Sequence, residues 1–234
     1  MPKRLKKAKE FLLEVFFPKM CLVCGKEDKK WVCFACDMKL KPKSLDACPI
    51  CLKTNDSFLC VTCKNESSLS SLTYCFSYED KRIARLVHAL KYQNIQNLSE
   101  FFARKMFEKI SYYPFGENWI IVPVPLHWQR MNERGYNQAE LIAKHLGAFL
   151  KIRVETTSLF RTRYTKTQTK FSKEERAKNL AGSFQVKNPQ NVKGKNILLL
   201  DDVATTLATL EACADALKAV GAKNVWATTV ARAE

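Results

Sequence analysis

Residues Ile197 to Thr209 read ILLLDDVATTLAT. Four apolar residues, Ile197 to Leu200, have the length and composition of a fully buried strand. Asp201 and Asp202 follow at its carboxyl end. A short loop of small and hydroxyl residues comes next, with Ala204, Thr205, Thr206, Ala208 and Thr209 in it. Leu210 to Val220 has helical patterning, and Gly221 closes it. Ligands of open parallel sheets bind outside the carboxyl ends of the strands. A loop entering a helix offers backbone N–H groups and a positive dipole end to phosphate. Two carboxylates repel phosphate but suit ribose hydroxyls, or a divalent ion held by pyrophosphate. The implied ligand carries a phosphate and a free vicinal diol. The plain alternative is a strand-to-helix junction with threonine as helix cap.

The run of strand, two acids and TT-x-x-T resembles the ribose-5-phosphate loop of type I phosphoribosyltransferases, which bind phosphoribosyl pyrophosphate (PRPP). Leu207 stands where that family has glycine. Glycine lets the backbone take φ > 0 and approach a phosphate closely, and leucine resists both. A weakened hold on PRPP is the expectation.

The chain has 234 residues, room for one or two domains, and 47% of them are apolar, enough for a packed core. Thirty-nine basic against 23 acidic residues give a net charge of +16. That excess favours an anionic partner, whether nucleic acid, a phosphorylated ligand or an anionic membrane; a generally basic proteome is the bland alternative. No apolar run is long enough to span a membrane. Phe11 to Phe17 is broken by Glu14 and lacks a small-residue cleavage site, so a secretory signal is not expected. Residues 1–18 read as a basic amphipathic helix, which more often packs on its own domain than on a membrane or nucleic acid.

Residues 19–66 hold four CxxC pairs: Cys21/Cys24, Cys33/Cys36, Cys48/Cys51 and Cys60/Cys63. CxxC-x8-CxxC occurs twice, an internal repeat. Two thiolates in a knuckle turn grip one side of a zinc ion, and a second knuckle completes a tetrahedron. The repeat argues for two sequential structural Zn²⁺ sites, with interleaved pairing left open. A disulfide framework fits poorly in a chain without an export signal. Cys75 and Cys213 read as buried, unreactive thiols. Residues 64–72, KNESSLSSL, read as a linker.

Residues 72–234 alternate strands with helices, which implies a mostly parallel sheet covered on both faces. Strands are expected over 73–78, 119–124, 183–186, 196–200 and 224–230, with helices over 80–91, 98–110 and from Asn137 onward. Leu159 to Lys178 is rich in Arg and Lys and reads as a mobile loop. The segments VPVPLHWQRMNERGYNQAEL, RTRYTKTQTKFSKEERAKNLAGSF and LLLDDVATT together resemble the ComF family. The resemblance spans nearly the whole chain.

It implies an α/β fold: a type I phosphoribosyltransferase-like domain preceded by a small cysteine-rich double zinc ribbon. It also implies a bacterial cytoplasmic protein of DNA uptake in natural transformation, acting on single-stranded DNA. A peripheral place at the inner membrane and a partner helicase or membrane channel belong to the same expectation. Carried over by position, PRPP with Mg²⁺ would meet Asp201, Asp202, Val203, Ala204, Thr205, Thr206, Leu207, Ala208 and Thr209, together with Val124, Pro125 and Arg161. Arg134, Arg161, Arg163, Lys166, Lys170 and Arg176 would meet nucleic acid, with Tyr164, Phe171 and Trp128 as stacking surfaces. No general base stands out. An active enzyme moving phosphoribosyl from PRPP to a base or amine is the alternative.

Overall fold

The structure is a computed structural model that describes residues 18–43, 48, 50, 51, 53, 59–163 and 182–233. The expected arm over 1–18 lies outside these residues except for Pro18. So does most of the basic segment over 159–178, from residue 164 onward.

Ile197, Leu198, Leu199 and Leu200 are each buried. Leu198 and Leu200 face one core, and Ile197 and Leu199 face the other. A strand apolar on both faces can sit only inside a parallel sheet. That strand, β6 (Asn196–Ala204), has β7 (Asn224–Arg232) on one side and β2 (Trp119–Pro123) on the other. β1 (Ser71–Ser77) flanks β7, and β3 (Arg153–Val154) flanks β2, giving the order β1-β7-β6-β2-β3. All four pairings are parallel. A small antiparallel pair, β4 (Leu159–Arg161) with β5 (Phe184–Val186), stands apart.

One face is covered by α3 (Lys81–Tyr92), α4 (Leu98–Ile110) and α6 (Gln138–Leu150). Each has an apolar side; in α3 it is Ile83, Leu86, Val87 and Leu90. Asp80 caps α3, its carboxylate accepting the Arg82 N–H at 2.9 Å. α7 (Ala208–Ala219) covers the other face through Leu210, Cys213, Ala214 and Leu217. Each such leucine or isoleucine fully buried contributes about 1.5–3 kcal/mol. Cys75 and Cys213 are both buried, as the sequence suggested.

The cysteine segments are docked on this sandwich. Cys21, Val32, Cys36 and Leu40 share a core with α3 and α4, whereas Cys48, Leu59 and Cys63 share one with α7. The two groups thus pack on opposite faces of the sheet. Asp37 of α1 (Phe34–Lys39) meets Arg104 at 2.6 Å and Lys105 at 2.9 Å. Burial opposes its charge, but those two cations hold its carboxyl below the usual range.

The expected linker over 64–72 is not one. Lys64 to Glu66 finish α2 (Val61–Glu66), and Ser71 begins β1. Between them the Ser67 hydroxyl donates to Glu211 at 2.5 Å, the Ser68 N–H donates to Glu211 at 3.1 Å, and the Ser68 hydroxyl donates to Asp215. Serine-rich composition reads as slack chain, but these serines tie the segment to α7. Among the described residues no helix is long and apolar enough to cross a membrane.

Gly147 marks the closest approach of α6 to the sheet edge. A Cβ there would lie 2.5 Å from the Val154 Cγ2 and 2.8 Å from the Ile152 carbonyl oxygen. Alanine is favoured over glycine in a helix by about 1 kcal/mol. Overpacking costs about 1–3 kcal/mol, and the backbone oxygen cannot rotate away. Gly147→Ala is therefore expected to lower the urea midpoint; an unchanged or raised midpoint would contradict this close packing.

Candidate functional site

The strand carrying the acids runs further than the apolar pattern suggests. β6 keeps its register with β7 through Asp201↔Thr229, Val203↔Ala231 and Ala204↔Arg232. Asp201 and Asp202 therefore lie inside the strand's last stretch, not after its end, and they diverge. The Asp202 Oδ1 meets the Lys91 ammonium of α3 at 2.8 Å. Asp201 lies on the side of Arg161, whose charge lowers its pKa, and of Cys213, whose thiol is kept neutral by burial and by the nearby Asp201 charge. The Asp202 N–H donates back to Asp201 Oδ1 at 2.8 Å.

Asp202 is 3% exposed, and its Oδ2 has no hydrogen-bond partner among the described residues. Burial works against charge on Lys91, but Asp202 and Asp201 outweigh it and raise its pKa, so it stays an ammonium. Burial pushes the Asp201 carboxyl up to about 7, and the neighbouring Asp202 carboxylate adds to this; Lys91 and Arg161 pull the other way. One ammonium in direct contact thus serves two acids.

The turn after β6 is short. Thr205 is exposed and Thr206 partly so. Leu207 has φ 61° and ψ −10°, the left-handed conformation a glycine would take. Its side chain is buried in the α7-side core. Leucine does not abolish the glycine-like bend. The bend costs about 1–2 kcal/mol and burial of the side chain returns about as much or more. α7 starts at Ala208, two residues before the expected start, and no side chain caps it. The threonine cap of the plain alternative is not formed.

Val124 and Pro125 follow β2 beside this turn. The Val124 N–H donates to the Leu200 carbonyl at 2.8 Å, and its carbonyl accepts Asn137 Nδ2 at 3.0 Å. Asn137 also caps α6, accepting the Ala139 N–H at 3.0 Å. Arg161 closes the far side from β4, its guanidinium 5.4 Å from the centre of the Phe184 ring. His127 is buried nearby; burial, then Arg161 and Arg130, hold its pKa below the usual range.

Among the nucleic-acid candidates, Arg163 is exposed. Lys166, Lys170 and Arg176, with Tyr164 and Phe171, lie outside the described residues. Arg134 ends a short helix, α5 (Trp128–Arg134), that the sequence reading missed. Gly135 stops it with φ 79°. Trp128 is 63% exposed at its start.

A family model described as a phosphoribosyl transferase domain matches residues 92–234. Competence protein ComFC of Bacillus subtilis is 30% identical over 88% of this chain and 86% of its own. The chain belongs to the ComF family. Competence protein F of Haemophilus influenzae is 28% identical over 92% of this chain and 90% of its own. DNA utilization protein YhgH of Escherichia coli K12 is 27% identical over 83% of this chain and 95% of its own.

In this ComF-family chain the cysteines form two sequential groups, Cys21/Cys24/Cys33/Cys36 and Cys48/Cys51/Cys60/Cys63. Within each, all four sulfurs lie within 4.8 Å of one another. Cys24 to Cys33 and Cys51 to Cys60 are both 3.8 Å between sulfurs. A tetrahedral ion with Zn–S bonds of about 2.3 Å needs sulfurs about 3.8 Å apart, so each group fits one metal ion. The interleaved pairing is excluded by this geometry. The sequence reading missed Lys91; no spacing or motif marks it, because only the fold brings it to Asp202.

Elemental analysis is expected to find about two zinc ions per chain, and Cys24→Ser with Cys33→Ser should leave about one. Two ions retained in that variant, or a metal-free chain that still melts cooperatively, would contradict the assignment.

Proposed function

We propose that this chain serves DNA uptake in transformation, holding PRPP at the end of β6 and single-stranded DNA beside it. The printed names of its relatives, competence protein and DNA utilization protein, support the process. The net charge of +16 supports a polyanionic partner.

One observation carries the PRPP reading: the buried, unpartnered Asp202 Oδ2. A buried carboxylate oxygen without a donor is costly, and a donor hydroxyl or metal-bound water from a ligand satisfies it. Asp201, partly open to the turn, offers a second acceptor for the same sugar. The amides at the start of α7, with Thr205, Thr206 and Thr209, offer donors to the 5-phosphate. Val124, Pro125 and Arg161 border the place for the pyrophosphate, and the Arg161 guanidinium suits its charge. Mg²⁺, when bound with PRPP, would neutralise part of the pyrophosphate charge.

The same arrangement supports a second reading, transfer of the phosphoribosyl group to an acceptor. The phosphoribosyl transferase domain match favours it. Such a reaction asks the protein for positioning and charge stabilisation rather than covalent help. Release of pyrophosphate on adding a base or amine separates transfer from binding alone.

Calorimetric titration with PRPP and Mg²⁺ tests the proposal. Asp201→Ala combined with Asp202→Ala is expected to abolish the heat of binding, and unchanged binding would reject the site. A diol held by both Asp201 oxygens needs the ionised carboxylate, because the neutral acid keeps one oxygen as a donor. The folded Asp201 pKa of about 7 is raised, so below that value a proton must leave first. Affinity is expected to rise about tenfold per pH unit up to about 7 and then level off. A flat profile would show that Asp201 does not touch the ligand. The same raised pKa means the Asp201 contribution to stability is full below the unfolded value and is lost as pH rises through about 7.

A further inference from the structure

A groove of about 680 Å³ opens beside this site, where the carboxyl ends of α3 and α5 meet. Lys91, Tyr92, Arg130, Glu133, Arg134 and Tyr136 line it, three cations against one acid. Its walls are held in place. The Tyr136 hydroxyl donates to the Leu90 carbonyl, and Arg134 donates to Gln138 Oε1. The Arg134 guanidinium lies 5.2 Å from the centre of the Tyr92 ring, and the His88 ring lies 4.8 Å from it. Tyr92 is nonetheless 66% exposed. An open aromatic ring supported by an arginine is a platform for a flat ring. Cations around it suit phosphate.

We propose that this groove binds one nucleotide unit, its base on Tyr92 and its phosphate between Arg130 and Arg134, and that Lys91 joins the groove to the acids of β6. Lys91 lines the groove and also holds Asp202 at 2.8 Å. A ligand diol that satisfies Asp202 lessens that carboxylate's demand on the ammonium, which then serves a phosphate in the groove. Occupancy of either site thus favours the other, and the coupling is reciprocal. The link through Lys91 rests on the PRPP reading; the groove does not.

The nucleotide comes from a strand or from a free nucleotide, and competition separates the two. The full chain is titrated with a short dye-labelled oligothymidylate, with thymidine monophosphate as competitor. Tyr92→Ala is expected to weaken strand binding about tenfold, and Tyr92→Phe to leave it near wild type. Arg130→Gln and Arg134→Gln should each flatten the salt slope by about 0.7, as loss of one phosphate contact does. Displacement at comparable concentrations assigns the groove to free nucleotides; displacement only by another strand assigns it to nucleic acid. Full binding in Tyr92→Ala and in both arginine variants, with loss instead on replacing Arg161 and Arg163, would overturn the groove. Saturating PRPP should tighten strand binding about fivefold in the wild type and leave Lys91→Met unchanged. If PRPP itself gives no heat, the link through Lys91 falls with the PRPP reading, and the groove is judged on Tyr92 and the arginines alone.

Discussion

A carboxylate sealed inside a sheet needs a cation, and the contact between Lys91 and Asp202 meets that need. β6 is apolar on both faces from Ile197 to Leu200, so its charged groups are confined to the carboxyl end. Asp202 is almost wholly buried there, and the ammonium from α3 reaches it at 2.8 Å. Removing one partner from such a pair leaves an uncompensated charge, at about 3–5 kcal/mol. The contact therefore fixes the last turn of α3 against the strand. Burial, and then the neighbouring Asp202 carboxylate, make Asp201 the group that takes up a proton near neutral pH, with Lys91 pulling the other way.

The turn after β6 shows how a sequence departure is absorbed. Leu207 stands where glycine is the easy choice, yet φ is 61°. The cost of the left-handed backbone is matched by burial of the leucine side chain beneath α7. The groups proposed to bind at the turn are the backbone and the threonines, and these do not depend on the residue having no Cβ. What the side chain loses in backbone freedom it recovers in packing.

Much of this was legible in the sequence. Leu98 to Ile110 is amphipathic, and the helix has those bounds. The repeated CxxC-x8-CxxC argued for the sequential grouping of the cysteines but left interleaved pairing open, and the sulfur positions decided between them. What was not legible depended on long-range contacts. The end of β6 was misplaced because apolar pattern stops at Leu200, whereas hydrogen bonding to β7 continues to Ala204. α5 has no buried residue, so no periodicity announces it. The serines at 67 and 68 read as slack because their acceptors, Glu211 and Asp215, are far along the chain. Lys91 looked like an ordinary helix-end lysine until the sheet brought Asp202 to it.

The most direct test of the central claim is a crystal structure of the chain grown with PRPP and Mg²⁺. The account predicts a sugar phosphate at the turn from Thr205 to Thr209, with its 5-phosphate at the start of α7 and its diol within hydrogen-bond distance of Asp201 and Asp202. Density for the ligand elsewhere, or an empty turn at saturating PRPP with the Lys91–Asp202 contact unchanged, would contradict it.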